Sequence, residues 1–207
     1  MRIGITGGIG SGKSYVARRL SELCSVPVYD SDREARRLME ECEEVRAALI
    51  RLLGEEAYTP TGELCKPVVA RFLFASAENA AAVNAIVHPA VKADFLRWAE
   101  EQEGDVLLES AILVEAGFQD VIDCLLAVSA PETLRLQRAM QRDGAGEEQI
   151  RERMAQQASE ETTLQASDFV IINDGRDLLP QLKTLARKLH LSRKRNIKIH
   201  KKNTENA

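Results

Sequence analysis

The 207-residue sequence contains no long apolar run, although 44% of its residues are hydrophobic. No stretch approaches the ~20 apolar residues that a membrane-spanning helix requires, and the first 20 residues show no signal-peptide pattern. The four cysteines have no C-x-x-C spacing, which argues against a zinc site, a disulfide framework and redox chemistry. We therefore expect a cytoplasmic protein without a membrane partner, with one sizeable core and a smaller attached lobe.

The chain also has little net charge, at -4, but its basic residues are unevenly placed. Residues 193–202, RKRNIKIHKK, carry six lysines or arginines and no acidic residue. Such a segment either contacts nucleic acid or forms a solvated terminus, and the second is the commoner case. We therefore expect a basic, flexible tail over residues 193–207 and no nucleic-acid partner.

The main chemical signal is GGIGSGKS at residues 7–14, which fits the phosphate-binding pattern G-x-x-x-x-G-K-[ST] between a strand pattern and a helix pattern. Glycines leave backbone N–H groups free to surround a phosphate, and the start of the following helix attracts the same anion. Lys13 can reach the β- and γ-phosphates, and the Ser14 hydroxyl suits a Mg²⁺ ion that bridges them. The sequence therefore predicts a site for ATP or GTP with Mg²⁺. The predicted nucleotide-binding residues of this segment are Gly8, Gly10, Ser11, Gly12, Lys13, Ser14 and Tyr15.

Short apolar segments alternate with helical patterns along the chain, which predicts a three-layer α/β/α fold. Together with the phosphate loop, this order of elements resembles the P-loop NTPase fold of nucleoside monophosphate kinases. About five parallel strands with right-handed crossovers are expected. Between about residues 31 and 102, Gly54 and Pro67 divide a helical stretch, and Pro89 is expected to open a further helix. The predicted strands lie around Ile3 and Ile5 and at 26–29, 106–108, 124–128 and 169–172.

Acidic residues follow the second predicted strand, where ligands of such sheets usually bind. Either Asp30 or Asp32 is expected to cap the next helix, a use of Asp that stabilises a helix by ~1 kcal/mol. If Asp30 or Ser31 is the cap, Asp32 can face the cleft and accept a proton from an incoming hydroxyl. We favour Asp32 as the catalytic carboxylate, and Arg36 lies one helical turn further on the same face.

A charged helical region at about 131–161 is the second candidate. One interpretation is a solvated helix surface, because several glutamates can pair with its arginines. The other is a lid: Arg138 and Arg142 share one face just before DGAG at residues 143–146, where two glycines can form a hinge. A lid of this kind closes over ATP, brings guanidinium groups to the transferring phosphoryl group and excludes water. The arginines of the region are Arg135, Arg138, Arg142, Arg151 and Arg153.

The chain from residue 1 to about 190 resembles the dephospho-coenzyme A kinase family, because matching segments occur in that family's order. TGGIGSGKS at 6–14 matches the family's opening, and VYDSDREAR at 28–36 resembles V-I-D-A-D-x-x-A-R. ESAILVE at 109–115 resembles D-x-P-L-L-F-E, and SDFVIINDG at 167–175 resembles A-D-x-V-I-x-N-x-G. The remaining matches are His88-Pro89, the lid residues Arg138 and Arg142, and Arg153 with Gln157. The departures are Tyr15 for Thr, Glu109 for Asp and Ala111 for Pro.

This resemblance implies transfer of the γ-phosphoryl group of ATP to the ribose 3′-hydroxyl of dephospho-CoA, giving CoA and ADP in the last step of coenzyme A biosynthesis. It implies one kinase domain over residues 1–192, with an acceptor-binding insertion at about 33–102. The implied catalytic residues are Asp32, Lys13 and Arg142, with Ser14 as the Mg²⁺ ligand. Arg138 and Asn173 are expected to bind the nucleotide, and Asp32, Arg36, His88 and Glu115 are expected to bind the acceptor.

Two rival functions remain at this point. A different small-molecule kinase, such as a nucleoside monophosphate kinase, would share the phosphate loop and the lid and differ only in its acceptor region. A GTPase or a nucleic-acid motor would share the loop alone, but the sequence has no Asn-Lys-x-Asp motif for guanine and no long basic groove or second arginine-finger domain. A panel of acceptors separates the first rival, and nucleic-acid-stimulated ATP turnover would revive the second.

Overall fold

A five-stranded parallel sheet lies at the centre of the chain in the computed structural model, which describes residues 1–191. The strands are β1 (Arg2–Thr6), β2 (Val28–Asp30), β3 (Val106–Glu109), β4 (Cys124–Ser129) and β5 (Phe169–Ile172). Their order in the sheet is β2-β3-β1-β4-β5, so each sequential connection crosses over the sheet. The predicted parallel α/β/α fold is confirmed, whereas the expected tail at 193–207 lies outside the described residues.

Helices cover both faces of the sheet, because the connections between parallel strands must cross over it. On one face, Val16 and Leu20 pack with Leu182 and Leu185 in a single buried cluster. On the other face, a long helix buries Phe95 against the sheet. The helices are α1 (Lys13–Cys24), α2 (Ser31–Glu41), α3 (Glu43–Leu53), α4 (Lys66–Ala75), α5 (Ala77–Glu100), α6 (Glu132–Asp143), α7 (Glu147–Ala155), α8 (Glu160–Gln165) and α9 (Leu179–Lys188), with 3₁₀ turns at Glu55–Ala57 and Phe118–Val121.

The prediction that Pro89 opens a helix is wrong, since Pro89 lies inside α5. Proline removes one backbone hydrogen bond and crowds the preceding turn, a defect of about 3 kcal/mol in an isolated helix. Here Val83, Val87 and Val91 lie at helical spacing on both sides of Pro89 and are all buried. Their packing in the core outweighs the local defect and carries the helix through the proline.

Two helices joined at residues 143–146 were expected in the region predicted as a lid, and α6 and α7 are joined there, with α8 beginning at the end of the region. The two glycines between α6 and α7 have different backbone conformations. Gly144 ends α6 in the left-handed conformation at φ 62°, while Gly146 is extended at φ -69°. Within residues 1–191, no helix is both long enough and apolar enough to span a membrane.

Candidate active site

The loop between β1 and α1, residues 7–14, forms a tight backbone turn. Ser11 N donates to Gly8 O at 3.0 Å, and Gly10 and Gly12 adopt φ angles of 77° and 89° that only glycine adopts readily. Gly12 is the N-cap of α1, so the N–H groups that start the helix point toward the loop. This geometry is that of an anion-binding helix terminus.

Two side chains hold the Gly12 end of the loop. Asn173, at the end of β5, is buried and donates from Nδ2 to Ser11 O at 2.8 Å. Arg138 on α6 donates in turn from Nη1 to Asn173 O at 3.2 Å. A Cβ atom built on Gly12 would lie 2.3 Å from Asn173 Nδ2, so the loop and the asparagine fit only because position 12 has no side chain. The structure thus brings both predicted nucleotide-binding residues to the loop.

The other end of the loop, at Gly8 and Ile9, contacts the lid region. Ile9 N donates to Gln157 Oε1 at 2.7 Å, and Gln157 Nε2 donates to Ala111 O at 3.3 Å. Gln157 therefore connects the loop to the segment that follows β3. Arg135 also lies against Gly8. Sequence reasoning assigned Arg135 no separate role, although its place one helical turn before Arg138 puts both residues on one face of α6.

Ser14 and Glu109 meet where β3 ends beside α1. The Ser14 hydroxyl donates to Glu109 Oε1, and Glu109 is only 9% exposed. Burial raises the pKa of Glu109, the Ser14 hydrogen bond and the Lys13 ammonium oppose that rise, and the nearby carboxylates of Asp30 and Asp32 add to it. Glu109, Asp30 and Asp32 therefore interact electrostatically at the ends of β2 and β3.

Asp30 is the cap of α2, which decides between the two interpretations of the acidic pair. Its Oδ1 accepts from Asp32 N and from Arg33 N, both at 3.1 Å. The Asp32 side chain has no part in the cap and lies exposed at the first turn of the helix. Asp32 is therefore available to a ligand, as the catalytic hypothesis requires.

An apolar cleft of about 190 Å³ opens beside Asp32, between α2, α4, α5 and the segment after β3. Its polar lining includes Asp32, Ser110 and His88, and Phe118 packs edge-on against the His88 ring with centroids 6.2 Å apart. Burial first, and the Lys92 charge second, lower the pKa of His88, which favours the neutral imidazole. The apolar lining is formed by Ala35, Met39, Val69, Leu73, Val83, Val87, Val91 and Ile112.

The second predicted lid arginine, Arg142, lies apart from these contacts. Its guanidinium donates to both carboxylate oxygens of Asp143, at 2.6 and 3.1 Å, and Arg153 donates to the same carboxylate at 2.7 Å. Hydrogen bonds from Arg142 and then Arg153 lower the pKa of Asp143 to about 2. In this conformation, Arg142 is held at the C-terminal end of α6.

The other predicted residues occupy the rim. Arg36 is exposed on α2 and forms no ion pair with a described residue. Glu115 accepts from the backbone N of Ala158 at 2.8 Å, which connects the segment after β3 to the one after α7. Tyr15 is 46% exposed, with the Arg18 guanidinium 5.5 Å from its ring centroid.

The oxygen ligands of Ser14 and Glu109 fit a Mg²⁺ ion held together with a nucleotide. Across the described part of the chain, no group of three or more His, Cys, Asp or Glu residues forms a metal site. Mg²⁺ at phosphate sites usually takes one or two protein oxygens, with phosphates and water completing the octahedron. A hydroxyl and a buried carboxylate next to the loop supply such a pair.

Comparisons with known proteins identify relatives of this chain and of its fold. The sequence model described as dephospho-CoA kinase matches residues 1–178. A Bacteroides fragilis protein named dephospho-CoA kinase is 46% identical over 185 residues, which cover 88% of this chain and 89% of that protein. A crystal structure of TT1252 from Thermus thermophilus has a TM-score of 0.78 at 34% identity and covers 91% of this chain and 97% of its own. Shikimate kinase from Acinetobacter baumannii shares the fold, with a TM-score of 0.57 at 16% identity over 91% of this chain and 92% of its own.

Proposed function

This chain belongs to the dephospho-CoA kinase family and phosphorylates dephospho-CoA with ATP in coenzyme A biosynthesis, and we propose that the acceptor is the ribose 3′-hydroxyl, bound beside Asp32. The observation that carries the proposal is the capping of α2 by Asp30, which leaves the Asp32 side chain free on the lining of the cleft. The Asp32 charge acts on Glu109, which accepts from the loop residue Ser14. A carboxylate in that place can orient the hydroxyl and take its proton.

The nucleotide side of the site consists of the loop, Lys13, Arg138 and Asn173. Backbone N–H groups of the loop and the start of α1 bind the phosphates, and Lys13 neutralises the β- and γ-oxygens. Asn173 and Arg138 keep the loop in its binding shape through the hydrogen bonds to Ser11 O and Asn173 O. Phosphoryl transfer needs little covalent help from the protein, so this preorganised charge supplies most of the rate.

We propose that Ser14 and Glu109 hold Mg²⁺ when the nucleotide binds. The ion supplies charge neutralisation between the β- and γ-phosphates. Glu109 suits this role when it is ionised. Burial raises its pKa and opposes ionisation, and the Ser14 hydrogen bond and the Lys13 charge oppose that rise in part. The Ser14–Glu109 hydrogen bond keeps the two oxygen ligands together before the ion arrives.

The acceptor side is the helical insertion, which we place at about residues 33–102. Its apolar cleft provides a wall for the pantetheine-bearing acceptor, and neutral His88 can donate or accept a hydrogen bond there. Arg36 on the same helix as Asp32 can neutralise the acceptor's phosphates. Glu115 contributes on the rim, where it already fixes the segment after α7.

We further propose that residues 131–161 act as a lid. Closure would bring Arg142 from Asp143 to the transferring phosphoryl group and would exclude water, which otherwise competes as the acceptor. A cytoplasmic location is part of the same proposal, and it is supported by the need for ATP and by four cysteines that all carry free thiols.

The proposal is tested by product analysis with a panel of acceptors. The purified chain, ATP and Mg²⁺ are incubated with dephospho-CoA, with nucleoside monophosphates and with shikimate, and ADP release is recorded. We expect release only with dephospho-CoA, and phosphorus NMR should show a new monoester at the ribose 3′ position. A monoester at the 2′ position, or preference for a nucleoside monophosphate, would contradict the proposed acceptor.

A further inference from the structure

Arg135 lies on the phosphate loop with its guanidinium mostly buried. Its side chain is 15% exposed, and a Cβ atom built on Gly8 would lie 2.1 Å from Arg135 Nη1. The backbone of Arg135 is equally close to the loop, because a Cβ on Gly10 would lie 2.1 Å from its carbonyl oxygen. The loop at Gly8 and Gly10 is therefore shaped around this arginine.

The guanidinium lacks the partners that its burial requires. Among residues 1–191, the buried side-chain nitrogen or oxygen atoms without a hydrogen bond are Arg135 Nε and Ser11 Oγ, and both belong to the loop region. The ion-pair partner of Arg135 is Glu160, whose Oε2 lies 3.9 Å from Nη2 and whose Oε1 accepts from the Ser129 hydroxyl. A buried cation with five donors and one distant carboxylate is costly unless an anion joins it.

Neighbouring arginines of the same region are paired differently. Arg142 and Arg153 both donate to Asp143, at 2.6 and 2.7 Å. Arg151, which lines the same cavity as Arg135, donates to Glu132 at 2.7 Å and to Glu147 at 2.8 Å. Arg135 alone of these four has no hydrogen bond from its guanidinium within the described residues, and beside the distant Glu160 carboxylate its donors remain available to a further anion.

The position of Arg135 along the loop indicates which anion this is. Asn173 contacts the Gly12 end of the loop, whereas Arg135 contacts the Gly8 end. The Gly8 end is joined through Gln157 to Ala111, and the Ser14 hydroxyl donates to Glu109, so both neighbours of the cleft residue Ser110 are tied to the loop. In a transfer reaction, the phosphate nearest the acceptor is the one transferred. We therefore place the γ-phosphate where the loop borders the cleft, within reach of the guanidinium of Arg135 on Gly8.

We propose that Arg135 binds the γ-phosphate of ATP directly and is a catalytic cation of this site. The inference rests on the proposed function, in which the γ-phosphoryl group is the group transferred. As the acceptor oxygen bonds to the γ-phosphorus, the bond from that phosphorus to the bridging oxygen of ADP breaks, and Asp32 takes the hydroxyl proton. Arg135 stays protonated throughout and stabilises the charge on the three γ-oxygens. Arg135 already lies on the loop, whereas Arg142 must first leave Asp143.

The test compares Arg135→Gln with Arg151→Gln, which removes an equal charge from the same cavity. Binding of a non-hydrolysable ATP analogue and of ADP is measured by calorimetry with Mg²⁺ and without any acceptor. We expect Arg135→Gln to lose roughly 10- to 100-fold in triphosphate affinity, the range for one charge-assisted contact, and to change in ADP affinity by less than about threefold. Arg151→Gln should leave both affinities unchanged.

A purely structural role for Arg135 would weaken both ligands equally or neither, and either result would overturn the inference. Arg135→Lys keeps the charge but not the planar fork, and it serves as the readout if the Gln variant does not fold. Its ratio of triphosphate to diphosphate affinity should fall between those of the parent and Arg135→Gln, and an unchanged ratio would refute the contact. The parent's activity on dephospho-CoA is assayed separately. If that assay contradicts the proposed acceptor, the ratio of triphosphate to diphosphate affinity still tests the contact of Arg135.

Discussion

Replacing Asp94 with alanine should destabilise the fold, because three donors converge on this buried carboxylate. Tyr29 Oη donates to Asp94 at 2.7 Å, Arg37 Nη2 at 2.7 Å and Arg97 Nη2 at 2.6 Å, and Asp94 is only 7% exposed. The three donors join β2, α2 and α5, so Asp94 connects the sheet to the helices that carry Asp32 and His88.

The magnitude follows from the exposure of each partner. The Tyr29 hydroxyl is buried, and leaving such a group unpaired costs about 1–3 kcal/mol. Arg37 and Arg97 have side chains 40% and 70% exposed, so water and salt screen these pairs and each adds at most about 1 kcal/mol. We expect Asp94→Ala to lower the free energy of unfolding by about 3 kcal/mol, or Tm by roughly 6–12 °C in a chain of this size.

Chemical denaturation at several pH values measures this effect. Burial alone would raise the pKa of Asp94, but the hydrogen bonds from Tyr29, Arg37 and Arg97 outweigh it and hold the pKa below its usual value. The stabilisation is therefore present above the unfolded-state pKa of about 3.9 and is lost as the pH falls through the lower folded-state value. The difference between parent and variant should shrink in acid.

Asp120→Ala is the matched control, since this carboxylate is 64% exposed and, among residues 1–191, pairs with Lys92 alone, at 3.0 Å. Its loss should change the free energy of unfolding by less than about 1 kcal/mol. A cost for Asp94→Ala no larger than that of the control would refute the reasoning. A double-mutant cycle with Tyr29→Phe should give a coupling energy of about 1 kcal/mol or more.

Two further predictions concern the loop and its neighbours. Glu109→Gln should lower activity and remove the acidic limb of the pH profile, because the raised pKa of Glu109 makes the parent lose its ionised ligand on acidification. Because the pKa of Glu109 is raised in the folded state, its ionised form opposes folding above that pKa. Glu109→Gln should therefore raise Tm near pH 8. An unchanged or lower Tm there would contradict the raised pKa. Gly12→Ala should weaken ATP binding by at least about tenfold, since φ is 89° and the new Cβ would lie 2.3 Å from Asn173 Nδ2. Gly146→Ala should bind ATP like the parent, because a Cβ built on Gly146 would have no neighbouring heavy atom of the described residues within 4 Å.

The sheet and the loop were predictable because local signals and tertiary packing agree there. The phosphate loop has glycines where the backbone needs positive φ, and β5 spans the predicted residues 169–172. Pro89 was mispredicted because proline is a local signal, whereas the buried face formed by Val83, Val87 and Val91 decides the outcome. Burial of a helix face depends on elements distant in sequence.

The site was predictable in its residue types and less so in its connections. Sequence reasoning left Asp30 and Asp32 open, because both positions suit a helix cap, and only the hydrogen bonds of Asp30 separate them. The placement of Arg135 on Gly8 depends on the packing of α6 against the loop, whereas Arg142 pairs with its sequence neighbour Asp143, and no spacing rule distinguishes these arginines. Periodicity gives the helix face, but the contact of Arg135 with the loop is a tertiary property.

The central claim is that Asp32 receives the proton of an alcohol held next to the loop. The most direct measurement is the turnover of Asp32→Asn with ATP and dephospho-CoA, compared with Asp123→Asn, which makes the same change at the amino-terminal ends of the strands, just before β4. We predict that Asp32→Asn binds ATP like the parent but turns over about 100- to 10,000-fold more slowly, the usual contribution of a general base, while Asp123→Asn remains active. Parent-like turnover by Asp32→Asn would contradict the account.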